Sequence, residues 1–496
     1  MRVLLINPSG YESKYKRQKL INYTAIPLGL AYVAGVLEKA GHKPIVLDAA
    51  VHQMDRETLN DFIRRAKPDA VALAAFTPTF NYAADHAQLV KNNFPDVPVI
   101  IGGHHVTFLP EYSLNSAPAI DYVIRGEGDY TTTKLINALE NNEPSIKEIK
   151  GISYRDNGKI RHSPDAPLIK NLDDIPFPAR HLFPNDQYHF FGSSLRGTSI
   201  VSSRGCNRKC SFCSITQFYN HRWRARSPKN VIKEMIYVHE NFKSTIIGFM
   251  DDCFALNKKR LMDMCKMMRQ YGIVDNVCWG SALRVDNVSY EVLNQMRKAG
   301  CAMLFYGVES GNQKVLDSVQ KGTNIQMIED AFKWSRRLGI DTIASLALGL
   351  PGDTFQDCLN TIEWVKSKLK PTFVVWAAAT PYPGTPFYEE CLEKGWIKEI
   401  PEDWSSYTMI DPVLDLTNMS KEDVKNLIKY AYKSMHLNAF YLVNRLIYEI
   451  RQGMELYGTV NVFKQFIQTV FPWLWHIKKY GTYSQLQPKN LEEWKD

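Results

Sequence analysis

Thr198-Ser199-Ile200-Val201-Ser202-Ser203-Arg204-Gly205-Cys206-Asn207-Arg208-Lys209-Cys210-Ser211-Phe212-Cys213 is the stretch on which the reading of this 496-residue chain turns. Its first part, Thr198 to Ser203, has the β-branched and hydroxylic make-up of a short strand. The loop that opens from it carries Cys206, Cys210 and Cys213, at spacings of four and three residues. Thiolates are the usual protein ligands of iron-sulfur clusters. A four-iron cubane needs four ligands and only three thiolates are offered nearby, so one iron is left open to a chelating substrate. The adjacent Arg204, Arg208 and Lys209 would temper the negative charge of a thiolate-bound cluster.

Two blander readings compete. A structural zinc site usually takes a fourth protein ligand, commonly from a second paired motif, and an electron-transfer cluster carries a fourth cysteine in register. Neither is found near this loop. Cys253, Cys265, Cys278, Cys301, Cys358 and Cys391 are scattered without ligand spacing and read as small apolar side chains.

Around this loop, strands are expected near 198–203, 245–250, 277–283, 302–308, 341–348 and 372–379, separated by helical segments such as Pro228 to Glu240 and Val288 to Ala299. Six strand-helix units predict a partial (β/α)6 barrel, with its chemistry at the carboxyl ends of the strands. Upstream, apolar runs at 2–6, 44–48, 70–75, 98–102 and 121–124 alternate with helical patterns. That alternation predicts a Rossmann-like, doubly wound parallel sheet of about five strands, again with ligands at the carboxyl ends. Between the two, Gly151 to Ile160 reads as a hairpin around an Asn-Gly turn, followed by the Pro-rich Asp174-Ile175-Pro176-Phe177-Pro178. The expected domains are therefore 1–144, a connection over 145–195, the barrel over 196–400, and a C-terminal helical segment over 401–496.

The hydrophobic fraction of 45% and the charged fraction of 23% are those of an ordinary globular chain. The net charge of +8 is modest for this length and calls for no nucleic acid; half of it falls in residues 421–496. There Val462 to Phe471 is amphipathic and Trp473 to Lys479 sets aromatics beside lysines. This reads as a helical lid on the barrel or as contact with a membrane surface or lipid-like substrate. No run of 18 apolar residues occurs, and Met1 to Pro8 reads as a strand and turn, which leads to a cytoplasmic expectation with reduced thiols.

Cys-x3-Cys-x2-Cys with an aromatic, Phe212, before the last cysteine is the signature of the radical S-adenosylmethionine superfamily, and the α/β unit before it looks like a cobalamin-binding domain. Over residues 1 to about 400 the chain resembles the cobalamin-binding-domain radical enzymes. The resemblance implies a [4Fe-4S] cluster on Cys206, Cys210 and Cys213. It also implies S-adenosylmethionine contacts at strand ends: Asp251 and Asp252 in Phe249 to Phe254, Arg284 in Ser281 to Arg284, Glu309 and Ser310 in Tyr306 to Asn312. Acidic groups there can accept from an ammonium or ribose hydroxyls, and Arg284 can pair with a carboxylate.

The resemblance extends to cobalamin through the loops Ile101 to Glu111 and Val123 to Gly128, with Thr77, Gly102, Gly103, His105 and Glu127 as the expected contacts. The Asp-x-His-x-x-Gly pattern that supplies a lower axial histidine is missing from residues 7–25. Either cobalamin binds without a protein histidine below cobalt, or the domain has lost it; Gly102 and Gly103, which permit close approach of a flat ligand, favour binding.

The reaction that the resemblance implies is reductive cleavage of S-adenosylmethionine and attack on an unactivated carbon. Cobalamin-dependent methyl transfer is the first expectation; a radical cyclisation or rearrangement resembling the anaerobic magnesium-protoporphyrin ester cyclases is the alternative. A non-catalytic iron-sulfur carrier is the reading from another class. The expected partners are a small hydrophobic substrate, lipid-like or tetrapyrrole, and a flavodoxin or ferredoxin as electron donor.

Overall fold

The structure, a computed structural model, describes residues 1–9, 25–52, 54–188, 197–397, 401 and 403–436. Residues 1–429 form one compact unit and 430–496 a second.

Within the first unit, the amino-terminal sheet is built on β1 (Arg2–Asn7), whose residues Val3, Leu4, Leu5 and Ile6 are all fully buried. A continuous apolar run is what a parallel strand covered on both faces requires. Val3 and Leu5 point into one core with Ala31, Leu135 and Ile136, while Leu4 and Ile6 point into the other with Leu59, Ile63 and Ala87. The strands β2 (Lys43–Asp48), β3 (Ala70–Ala74), β4 (Val99–Gly102) and β5 (Tyr122–Ile124) join it in parallel, in the order β2-β1-β3-β4-β5. The order reverses between β1 and β3, which is where open α/β sheets bind ligands.

Among the described residues the sheet has seven strands and not about five. The hairpin β6 (Ile152–Asp156) and β7 (Lys159–His162) turns at Asn157 and Gly158, both with positive φ as an Asn-Gly turn demands. It pairs β6 antiparallel to β5 instead of lying in the connection, because β5 would otherwise present an open edge.

The second sheet is all parallel, in the order β15-β14-β13-β12-β11-β8, with β8 (Gly197–Ile200), β11 (Ile246–Phe249), β12 (Cys278–Leu283), β13 (Cys301–Glu309), β14 (Asp341–Leu348) and β15 (Phe373–Ala378). The two-residue strands β9 (Ser203–Arg204) and β10 (Arg224–Ala225) pair antiparallel beside it. The helices between strands start where a short polar side chain can accept from the first-turn amides. Ser227, Asn257, Ser289, Asn324, Thr354 and Thr385 all do so.

The Pro-rich connection is packed between the sheets. Gly35 leaves room for it, since a Cβ there would lie 2.7 Å from the Phe177 carbonyl oxygen. Beyond it Arg180, fully buried, donates to Ser199 O at 2.7 Å and pairs with Glu234 at 2.6 Å; Arg226 holds the other Glu234 oxygen. Downstream of the barrel, Trp404 packs back on the first domain against His105 and Tyr112, and against its own neighbour Tyr407.

Among the described residues no helix is long and apolar enough to cross a membrane. Of the C-terminal helical segment the structure describes the helix Lys421–His436. The stretches Val462 to Phe471 and Trp473 to Lys479 lie outside the described residues.

Candidate active site

The cysteine loop leaves β8 under tight constraint. Gly205 adopts φ +87°, and a Cβ on it would sit 2.0 Å from the Arg222 carbonyl oxygen, so only glycine lets β9 and β10 close the loop. Cys206 and Cys210 are buried and Cys213 is half-buried at the start of the helix Ser214–Phe218. A hydrogen bond with Cys253, helped by the charges of Arg284 and Arg208, brings the Cys206 thiol below its ordinary value. Cys213 is pushed up to about 12 by its surroundings, so a metal would have to draw the proton from it.

Among the described residues, no three His, Cys, Asp or Glu side chains converge closely enough to hold one metal ion. A cubane takes each thiolate at a separate corner, and an all-sulfur donor set flanked by guanidinium groups fits it.

Asp251 and Asp252 follow the end of β11. Asp251 is buried, and its oxygens accept from Ser202 N at 2.7 Å, Ser202 Oγ at 2.6 Å and Ser203 Oγ at 2.5 Å. Its carboxylate ties β11 to the root of the cysteine loop. Asp252 accepts from Gly205 N at 2.7 Å through one oxygen and opens to solvent.

Arg284, at the end of β12, donates to Asp286 through Nε and Nη2 at 3.0 and 3.1 Å, to Lys321 O at 2.5 Å, and from Nη1 to Cys210 Sγ at 3.4 Å. Glu309 follows a register shift at the end of β13 and holds φ +66°, a left-handed conformation unusual for glutamate. Its Oε1 takes a 2.6 Å bond from the buried Lys321, whose ammonium lies 5.9 Å from the Phe212 ring centre. Ser310 is buried and accepts from Asn312 N.

On the first domain, Gly103 adopts φ +129° and a Cβ would lie 2.3 Å from Ala75 O, so the loops after β3 and β4 meet backbone to backbone. Gly102 is less demanding, with its nearest would-be contact at 3.6 Å. His105 is buried against Phe80 and Trp404, with Thr77 Oγ1 3.4 Å from its Nδ1; burial lowers it to about 3. His104 stacks on Phe76 at 5.7 Å and on Phe218, past the cysteine loop, at 4.3 Å. Among the described residues neither Nε2 has a hydrogen-bond partner. Phe76 is 56% exposed, a flat apolar surface at the end of β3.

These contacts bring the carboxyl ends of the two sheets toward each other, and charge fixes them there. Arg204 forks onto Asp129 with two bonds of 2.8 Å and reaches Glu127 at 3.0 Å; Arg224 holds Glu127 at 2.8 and 3.1 Å.

The family profile described as B12 binding domain matches residues 20–136, and that of the radical SAM superfamily matches residues 200–365. An uncharacterized methyltransferase of Pyrococcus horikoshii is 34% identical over 443 residues, which are 89% of this chain and 94% of that protein. The chain belongs to the B12-binding radical SAM family. An anaerobic magnesium-protoporphyrin IX monomethyl ester cyclase of Cereibacter sphaeroides is 27% identical over 88% of this chain and 70% of its own. The solved structure of the cobalamin-dependent radical enzyme OxsB, with aqua-cobalamin and S-adenosylmethionine bound, shares the fold with a TM-score of 0.68, at 18% identity over 96% of this chain and 75% of its own. As a member of its family, this B12-binding radical SAM protein is an enzyme that takes a [4Fe-4S] cluster, S-adenosylmethionine and cobalamin.

Several of the expected site residues of this radical SAM protein have partners within the chain. Glu127 and Arg204 are engaged with each other across the domains. Arg284 is already paired with Asp286 and turned to a thiol. Asp251 has its oxygens committed to Ser202 and Ser203. Cys253 is no scattered apolar side chain: it lies against Cys206 and accepts at Sγ from Asn287 Nδ2 at 3.4 Å. Lys321 gives no signal in the sequence, since a single lysine after a helix carries no pattern. The segment 10–24, part of the region without the axial-histidine pattern, lies outside the described residues.

Proposed function

We propose that this protein is a cobalamin-dependent radical methyltransferase acting on an unactivated carbon of a small, hydrophobic substrate. One observation carries the reading: the three-thiol loop and the rim of the B12 domain open toward each other and are tied by buried ion pairs. Cys206, Cys210 and Cys213 would hold the cluster, and the glycine-bounded rim around Thr77, Gly103 and Phe76 would lie against the corrin. Asp252, a strand-end acid with an oxygen left over, is the candidate for the ammonium of S-adenosylmethionine; Glu309, positioned by Lys321 through one oxygen, and the neighbouring Ser310 flank it. When bound, the cluster and S-adenosylmethionine supply a carbon-centred radical oxidant and cobalamin supplies a methyl group. The chain contributes positioning and exclusion of water. The exposed Phe76 and Met250 at the strand ends favour an apolar substrate. Family members work with a reductant, and a flavodoxin or ferredoxin of the cytoplasm is the proposed donor.

Anaerobically reconstituted protein, given cobalamin, S-adenosylmethionine and dithionite, is expected to release 5'-deoxyadenosine, and Cys210→Ala to release none. Feeding deuteromethyl-methionine to a host with and without the gene is then expected to label a lipophilic metabolite only in the former. A gene-dependent metabolite that gains a ring and no deuteriomethyl group would replace methyl transfer with the cyclase reading, which the relative from Cereibacter sphaeroides keeps in view.

A further inference from the structure

The turn after β12 lies against the cysteine loop and bonds to it through three polar side chains. Arg284 donates to Cys210 Sγ at 3.4 Å. Asp286 pairs with Arg208 at 3.1 Å. Asn287 accepts from Arg208 at 3.1 Å while donating to Cys253 Sγ. Arg284 has little freedom to do anything else. Two of its nitrogens sit on the Asp286 carboxylate and one also on the Lys321 carbonyl, so Nη1 is aimed at the sulfur by contacts that do not involve it. Both Arg284 and Cys210 are buried, where a charge acts on its neighbours with little screening.

A hydrogen bond to a cluster sulfur, and a positive charge beside it, draw electron density from the cluster and favour the reduced form. A carboxylate nearby does the reverse. We propose that Arg284 is a positioning residue that raises the reduction potential of the cluster through Cys210, and that Asp286 both aims it and offsets its charge. The radical reaction begins with one electron entering the cluster, so this pair governs how strong a reductant the enzyme needs. The inference rests on the cluster reading of the three thiols and is independent of methyl transfer or cyclisation.

The test is a redox titration of the reconstituted, cluster-loaded protein followed by electron paramagnetic resonance of the reduced cluster, with iron and sulfide counted for each variant. Arg284→Gln removes the charge and is expected to lower the midpoint potential. Asp286→Asn leaves the donor, removes the opposing charge, and is expected to raise it. A purely structural role could not move the two in opposite directions. Unchanged potentials, or shifts of one sign, in proteins with full iron content would overturn the proposal. Should Arg284→Gln fail to retain iron, Asp286→Asn decides alone: a rise supports the proposal, and no change or a fall overturns it. Failure of the wild-type protein to take up four irons would sink the cluster reading instead, a distinct outcome.

Discussion

Replacing Arg204 by methionine tests whether ion pairs fix the two domains. The side chains of Arg204, Asp129 and Glu127 are 11, 6 and 4% exposed. Glu127 keeps Arg224 in the variant, but Asp129 loses the guanidinium that holds it by two bonds. Breaking a buried pair by deleting one partner costs about 3–5 kcal/mol, most of it from the charge left behind. The loss of Arg204 from the Tyr32 ring, 5.1 Å away, falls within that range. At about 1.4 kcal/mol per factor of ten, the unfolding equilibrium should shift by roughly a hundredfold to a few thousandfold. Urea unfolding followed by tryptophan fluorescence would read it. The double variant Arg204→Met with Asp129→Leu should recover most of the loss, because no charge remains unpaired.

The pH dependence has a definite sign. Burial alone would raise the Asp129 carboxyl, but Arg204 outweighs it and holds the group below its usual range. In the wild type its contribution is present at neutral pH and disappears only in acid, as pH falls through that depressed value. In Arg204→Met the same carboxyl is buried unpaired and rises, so the deficit should narrow as pH falls from neutral toward the ordinary carboxylate range. A loss below about 1 kcal/mol, or a double variant no better than the single one, would refute the ion-pair account.

Gly103→Ala should destabilise by more than about 1 kcal/mol, since the new Cβ meets Ala75 O at 2.3 Å at a positive φ, while Gly102→Ala should be tolerated; thermal unfolding of the two side by side checks this. Trp404→Ala should cost about 3–5 kcal/mol, measured by urea unfolding, because its ring is fully buried against the first domain and its Nε1 donates to Tyr112 Oη at 3.2 Å. Asp353 is raised to about 7 by burial, despite amide bonds from Gly349 and Leu350. Its protonated form is the one the fold favours, so its contribution is full below the ordinary carboxylate range and is lost as pH rises through about 7. Asp353→Asn should therefore gain stability relative to wild type between pH 5 and 8, and a flat difference across that range would refute the assignment.

The strands were legible because burial on both faces leaves an apolar signature. The run expected at 341–348 is β14, residue for residue, and that at 302–308 is β13 less its ends. The cysteine loop was legible for a similar reason, its spacing being local. The roles of the charged residues were not. Arg204 finds Asp129 at a separation of 75 residues and Arg224 finds Glu127 at 97, and a strand-end acid looks the same in sequence whether it faces a ligand or a neighbouring backbone. Asp251 illustrates the point: Ser202 and Ser203 are 49 and 48 residues away, and only folding reveals that they saturate it. The hairpin β6–β7 is legible from its turn, but the sequence alone puts it in the connection, since its pairing with β5 depends on an edge that no local pattern marks.

With the cofactors placed as proposed, the same residues would hold the two sites in register. Arg204 stands two positions before Cys206, and Glu127 and Asp129 stand just after β5, at the rim of the B12 domain. A displacement of either domain would therefore pull directly on the root of the cysteine loop. An apolar contact could provide comparable stability, but it has no preferred azimuth, whereas a guanidinium forked onto a carboxylate fixes both distance and plane. Asp251 and Asp252 brace the loop from the opposite side by holding Ser202, Ser203 and Gly205. Radical chemistry between two cofactors depends on such fixed spacing, because a reactive carbon must meet its partner before solvent does. The charged network is thus placed where positional error would be most damaging, and its desolvation cost is one that a purely structural interface would have less reason to carry.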